Sequence, residues 1–505
     1  MAGLVVVALL VALPACGGKT DEATRAAGIT PPDALGLVSL NLDPSIEQKR
    51  NMLSVARRFP DARDEVKDEF ESTKDELIKD LLEDSGLDYE KDVKPLLGNE
   101  VALVVLPPAA GSDGGPAFVA MVETDDEAEA RAAIDKAAAA GDFDGAYAVV
   151  EDFVLLSDQD DEANDQAALD RVSAQARKGE DSLADSDRFN EVVDKLAGDR
   201  LVLIWADLAK ALALIEEEGE DLPPFNLAES FENAETLAAD LHVEDDAVVF
   251  QGVARSAGGG EGNVAELTKA LPETTLAALT LFNVGDTLRE GATAFLGGGD
   301  GPEFLAEVER EIGVDFDSDL FSWIGGELVF VAGDVPEGQS FPNFALVVEP
   351  TDQSKAEAGV AKIRQALEAQ GFALEERQVA GASALVAAEP ITEGIQPAMA
   401  LFEDRFVLAS SPAYLEELAK ADSPGLAGTD AYESVLEDDE DVIMQFVVLI
   451  DPVRMALEEA FLTDTEDQRE YESEVKPNVE PLSAFGIVAH RDGDFARLTF
   501  KLTFD

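Results

Sequence analysis

The stretch GLDYEKDVKPLLGNEV at residues 86–101 returns without a gap as GVDFDSDLFSWIGGEL at residues 313–328. The shared positions are Gly86/Gly313, Asp88/Asp315, Asp92/Asp319, Gly98/Gly325 and Glu100/Glu327, with Tyr89 paired to Phe316. Working outward from it, further blocks match in the same order. Leu37-Val-Ser-Leu corresponds to Ala278-Leu-Thr-Leu, FVAMVE at 118–123 to FALVVE at 344–349, and Phe153-Val-Leu-Leu to Phe406-Val-Leu-Ala. Leu183 to Phe189 corresponds to Leu426 to Tyr432, and the segments 234–254 and 479–504 end in similar hairpin patterns. Blocks that keep one order over such a distance indicate a duplicated domain, because the period is far too long for a solenoid. The repeats are read as 32–255 and 272–505, with a Gly-rich linker at 256–271.

Within each repeat the hydrophobic period alternates between two and about 3.6. Leu35–Leu42, Val101–Leu106, Ala117–Val122, Phe153–Leu156 and Leu201–Trp205 are short apolar or alternating runs and read as strands. Ala356, Val360, Ile363 and Leu367 lie on one helical face that opens at Thr351-Asp352 and closes at Gly371. Val66, Phe70, Leu77 and Leu81 make a similar stripe, and Asp187 and Asp430 stand where N-caps are wanted. The expected class is α+β: two tandem homologous domains, each a largely antiparallel sheet with packed amphipathic helices.

Acidic residues number 106 against 37 basic ones, for a formal net charge of −69. Such a surface repels phosphate backbones and anionic headgroups, so nucleic acid is excluded as a partner and so is docking through a basic face. Leu4–Leu13 is an apolar run that, as a helix, covers about half of a ~30 Å hydrocarbon core. It reads as the core of a secretory signal, with residues 1–15 removed. It ends in Leu13-Pro14-Ala15-Cys16, which resembles the lipobox of bacterial lipoproteins, and Cys16 is the only cysteine in the chain. The resemblance implies a diacylated Cys16 and a short tether over residues 16–31. It places the body on the extracytoplasmic face of a cell membrane, with two acyl chains supplying a stable anchor.

Chemistry-bearing patterns are sparse. The two histidines, His242 and His490, do not fall at equivalent positions and read as solvated or edge residues. No HExxH, GxSxG or phosphate-loop pattern occurs. Asp315-Phe-Asp-Ser-Asp begins like a calcium loop, but Leu320 and Gly326 occupy the positions that need Gly and Glu, so its acids read as caps. Asp158-Gln-Asp-Asp-Glu also lacks the glycine. No catalytic, cofactor-binding or metal-ligating residue is assigned; the one site residue is the lipidation site, Cys16.

The block Asp92–Val101, the early segment Asn41-Leu-Asp-Pro44 and the duplication are similar to those of a family of secreted or membrane-anchored lipoproteins of actinobacteria with no assigned activity. The resemblance supports architecture and location only. The expected function is non-catalytic binding of a ligand or envelope partner at the cell surface. Two alternatives stand beside it: a structural or adhesive surface protein, and a carboxylate-based hydrolase. A cleft lined by apolar residues favours ligand binding, and two convergent acids of raised pKa favour hydrolysis.

Overall fold

The computed structural model describes residues 25–60, 98–109, 115–140, 145–157, 162–218, 234–256, 263–282, 309–311, 313–336, 338–339, 341–392, 394–436, 441–461 and 465–505. Residues 1–24, with Cys16, and the stripe from Val66 to Leu81 lie outside them, as do residues 86–97 and Asp158–Asp161. The chain separates into two compact units, residues 1–260 with 493–499 and residues 261–492 with 500–505.

The first unit is built on strands β1 (Gly36–Asn41), β2 (Glu100–Leu106), β3 (Ala117–Glu123), β4 (Ala146–Val150), β5 (Phe153–Ser157), β6 (Val202–Ala206), β7 (Ala234–Val243) and β8 (Ala247–Ser256). Every pairing between them is antiparallel, in the order β4-β5-β3-β2-β1-β6-β7-β8. One face is buried because alternate residues are apolar: Ala102, Val104 and Leu106 on β2, and Ala117, Val119 and Met121 on β3. Helices Glu162–Lys178 and Asp187–Val193 cover that face through Leu169, Val172, Phe189 and Val192.

The second unit carries β9 (Ala277–Phe282), β10 (Ile324–Ala332), β11 (Phe344–Pro350), β12 (Leu374–Val379), β13 (Ala382–Ala387), β14 (Ala398–Leu401), β15 (Phe406–Ala409), β16 (Val442–Leu449) and β17 (Leu482–Asp492). These too are antiparallel, ordered β12-β13-β14-β15-β11-β10-β9-β16-β17. On the final strand, β18 (Phe495–Phe504), the Thr503 hydroxyl accepts from the Ala484 amide at 3.2 Å. Strand for strand, the central order β5-β3-β2-β1-β6-β7 corresponds to β15-β11-β10-β9-β16-β17. The register agrees as well. Leu37 faces Val104 as Ala278 faces Val331, and Val104 faces Val119 as Val331 faces Ala345.

The second sheet is covered on both faces, but unequally. One face packs Val329, Val331, Val347, Val407 and Val447 beneath helices Pro412–Lys420 and Asp430–Val435. On the other, helix Gln353–Ala369 lays Ala356, Val360, Ile363 and Leu367 over Leu328, Val348 and Phe406. Asp352 caps this helix by accepting from the Lys355 amide, and Gly371 ends it at φ +90°. Gly359 makes the close approach possible, since a Cβ there would stand 2.3 Å from the Asp319 carbonyl oxygen and 2.5 Å from the Trp323 indole nitrogen.

Several sequence expectations change in detail. Asp187 and Asp430 are the first helical residues; the caps are Ser186 and Thr429, and the Thr429 hydroxyl accepts from the Tyr432 amide. The expected tether through residue 31 is a packed helix from Arg25 to Ile29, with Ala26 and Ala27 fully buried. The expected linker through residue 271 is ordered from Asn263, which bridges to Val442, and forms a helix at Glu266–Lys269. Gly98 packs against Glu123, but the glycine that meets Glu349 is Gly326, while Gly325 meets Thr351. A bulge between Ile324 and Leu328 on β10 accounts for this one-residue slip.

Candidate functional site

Each unit buries one glutamate on its second strand, at the first residue of β2 and within the bulged stretch of β10. Glu100 and Glu327, matched in the duplicated block, are 4% and 1% exposed. Glu100 accepts from the Ala26 amide (3.1 Å) and the Ser39 hydroxyl (2.5 Å). Glu327 accepts from the amides of Leu267 (2.7 Å) and Thr268 (2.8 Å) and from the Thr268 hydroxyl (2.7 Å), which also touches the Thr280 hydroxyl. Ser39 and Thr280 hold the same place on β1 and β9, opposite Ala102 and Val329. Each carboxylate thus ties the short helix before the first strand to the middle of the sheet, which is why those helices are ordered. Burial raises the pKa of both groups, against the smaller opposing effect of the hydrogen bonds they accept. Two acids of raised pKa are therefore present, but each is engaged by donors of its own unit, a geometry that fits a structural clamp.

Around the clamp the two units differ. In the first, Glu123 is buried and forms an ion pair with Arg25, accepts from the Asn99 amide (3.0 Å), and Arg25 lies 5.7 Å from the Phe153 ring centre. In the second, the residue at the position of Arg25 is Glu266, and Glu349 accepts from the Glu327 amide at 3.3 Å and pushes the Glu327 pKa further up.

His242 departs from its expected solvated setting. Its side chain is 13% exposed, and its Nδ1 lies 2.6 Å from the fully buried carboxylate of Asp240, with Glu244 3.8 Å from Nε2. Burial disfavours the imidazolium, but the hydrogen bonds to Asp240 and Glu244 together outweigh it and lift the pKa to about 9. Asp240 also accepts from the Ala197 amide (3.0 Å), so the pair pins β7 to the segment before β6. His490 is a strand residue opposite Val442. Asp315 is an N-cap, accepting from the Ser318 amide at 2.8 Å, and Asp319 accepts from the Asp315 amide and pairs with Lys362.

An apolar groove with room for a ligand lies wholly in the second unit. Helix Gln353–Ala369 covers only part of its sheet face. Beyond it Leu279, Phe330, Phe344, Leu346, Leu408 and Phe446 remain as the floor and walls of a groove of about 580 Å³. Ile395 and Pro397 form one rim. Phe344 and Phe330 are 48% and 45% exposed, which is high for phenylalanines at the centre of a sheet. No charged residue lines the groove among the described residues, and its one hydroxyl, Ser410, accepts from the Phe344 amide (3.1 Å) and donates to Asn343 Oδ1 (3.3 Å). The first unit exposes residues at the same register positions: Val38, Leu103 and Phe118 correspond to Leu279, Phe330 and Phe344.

Reading the sequence for catalytic motifs passes over this groove, since its walls belong to no motif. The available signal is that LVFVA at 328–332 and FALVV at 344–348 are apolar on both faces, the mark of strands with two apolar sides. The groove offers shape and desolvation to an apolar molecule. No helix among the described residues is long and apolar enough to cross a membrane.

No curated protein matches the chain. Among solved structures, crystal forms IV and III of TP0453 align at a TM-score of 0.25 and 10% identity. The alignments cover 48% of this chain and 94% and 95% of theirs. A family model matches twice, over residues 1–146 and 134–501, and by that match the chain belongs to the family described as protein of unknown function, DUF3352.

Proposed function

We propose that this protein is a non-catalytic, lipid-anchored binding protein of the extracytoplasmic face, and that its second unit holds an apolar ligand. The groove floored by Phe330, Phe344 and Leu408 carries the reading. Partly exposed aromatic and aliphatic side chains on one concave face gain by being covered, about 25 cal/mol for each Å² of apolar surface removed from water. The same observation favours ligand binding over a purely adhesive role, for which a flat polar surface suffices. The protein consists of two tandem copies of one domain, supported by the shared strand order, the shared register and the paired clamps at Glu100 and Glu327. Its relatives are secreted actinobacterial lipoproteins, and diacylated Cys16 holds it to the membrane after residues 1–15 are removed.

Two measurements test this. The full chain should bind the neutral fluorophore Nile red saturably, and Phe330→Asp should weaken that binding by tenfold or more; equal binding by the variant would move the site elsewhere. In a bacterial host the wild type should partition into detergent and Cys16→Ser should not. Equal partitioning would remove the anchor from the proposal.

A further inference from the structure

We propose that the occupant of the groove is the hydrocarbon chain of a single neutral lipid, such as a glyceride or other ester, and neither an extended peptide nor a fatty-acid anion. This rests on the groove being an apolar ligand site and specifies what fills it.

The floor excludes an extended peptide. Strand β9 is paired with β10 and β16, β10 with β9 and β11, β11 with β10 and β15, and β15 with β11 and β14. Their backbone donors and acceptors are consumed within the sheet, so a strand laid across the face would find side-chain carbon and no ladder. Its own amides and carbonyls would be buried without partners, at a cost comparable to lost hydrogen bonds. A hydrocarbon chain brings no such groups. The size also fits one small molecule, since about 580 Å³ lies within the ~300–1,000 Å³ of small-molecule sites.

The charge distribution excludes an anionic headgroup. No Lys or Arg lines the groove among the described residues. At the Ser410 end the polar groups are Asn343 and, behind it, Asp334, which accepts from Asn343 Nδ2 at 3.0 Å. A carboxylate or phosphate seated there would find no counter-charge lining the groove, with Asp334 beyond Asn343, in a chain whose net charge is already −69. A neutral ester or hydroxyl headgroup meets no such repulsion.

The experiment uses the full chain with bound Nile red and two competitors of equal chain length, a monoacylglycerol and the corresponding ionised fatty acid. The monoacylglycerol should displace the dye about tenfold or more better, the ratio that ~1.4 kcal/mol of unfavourable charge contact produces. Leu408→Lys, at a position 39% exposed, should shift the preference toward the acid by placing a cation in the groove, and Phe344→Lys should do the same if the first variant folds poorly. Equal displacement by both competitors would overturn the neutral-headgroup inference while leaving the apolar site. Displacement by an apolar peptide but by neither lipid would overturn the hydrocarbon assignment. Failure of Nile red itself to bind would instead remove the underlying reading.

Discussion

Oε1 of Glu327 accepts two hydrogen bonds from Thr268, one from its amide at 2.8 Å and one from its hydroxyl at 2.7 Å. The donors sit on a helix of four residues, too short to be stable alone because helix nucleation is unfavourable. Glu327→Gln, even with its carbonyl oxygen kept toward Thr268, would turn an NH₂ group toward the Leu267 amide and leave that buried donor unmatched. Urea unfolding should show a loss of about 1–3 kcal/mol, with a smaller loss for Thr268→Val. The same change at Glu100 should act in the same direction. A negligible effect at both positions would show that these segments pack without the clamp.

The raised pKa of Glu327 fixes a sign. A carboxyl whose folded pKa exceeds its unfolded value of 4.5 binds its proton more tightly when folded, so its contribution falls as pH rises from about 4.5 through the folded pKa. Glu327→Gln should flatten the stability-against-pH curve in that window. A curve that keeps its slope in the variant would assign the dependence to other groups.

His242 gives the same sign in a higher pH window, through a charged form instead of a neutral one. Its folded pKa of about 9 lies above its unfolded 6.5, so its pairing with Asp240 contributes fully below about 6.5 and is lost as pH rises through 9. The shift corresponds to an upper bound of about 3 kcal/mol. His242→Gln should remove most of the stability difference between the two ends of that range, measured by thermal melts. An unchanged pH profile would mean that the imidazole is neutral in the folded protein.

Gly359 sits inside a helix, where replacing Gly by Ala normally stabilises by about 1 kcal/mol. Here the added methyl would stand 2.3 Å from the Asp319 carbonyl oxygen. Overpacking of this kind costs about 1–3 kcal/mol, so the clash should win. Gly359→Ala should lower the melting temperature and blue-shift or broaden Trp323 emission, since the indole donates to that same carbonyl at 2.8 Å. A rise in melting temperature would show that the helix can slide.

Much of this fold was legible in the sequence, and the illegible parts share a cause. Strands β1 to β3 follow from short apolar or alternating runs, β9 to β11 from their match to the first repeat, and Asp352 and Gly371 from cap chemistry. The helices at Arg25–Ile29 and Glu266–Lys269 do not, because they are too short to show a period and are ordered by carboxylates 74 and 60 residues away. His242 read as solvated because, although Asp240 two residues back shares its strand face, nothing local reveals that this carboxylate is fully buried. The groove was hidden for a different reason. Phe330, Phe344 and Leu408 look like core residues, and whether they are covered depends on where helix Gln353–Ala369 stops.

Groove residues should matter for binding and little for folding. Phe344→Ser and Leu408→Asp lie at partly exposed positions, where substitutions usually change stability by no more than about 0.5 kcal/mol. Both variants should melt close to wild type while losing Nile red affinity. A large destabilisation would indicate that this face is buried by packing and is no binding surface.

The most direct test of the central claim is to purify the tagged full chain from its bacterial host, extract non-covalent lipid with organic solvent and quantify acyl chains by mass spectrometry against Leu408→Asp. A neutral acyl lipid at a fixed stoichiometry in the wild type, depleted in the variant, is the expected result. Equal and trace amounts in both would contradict the account.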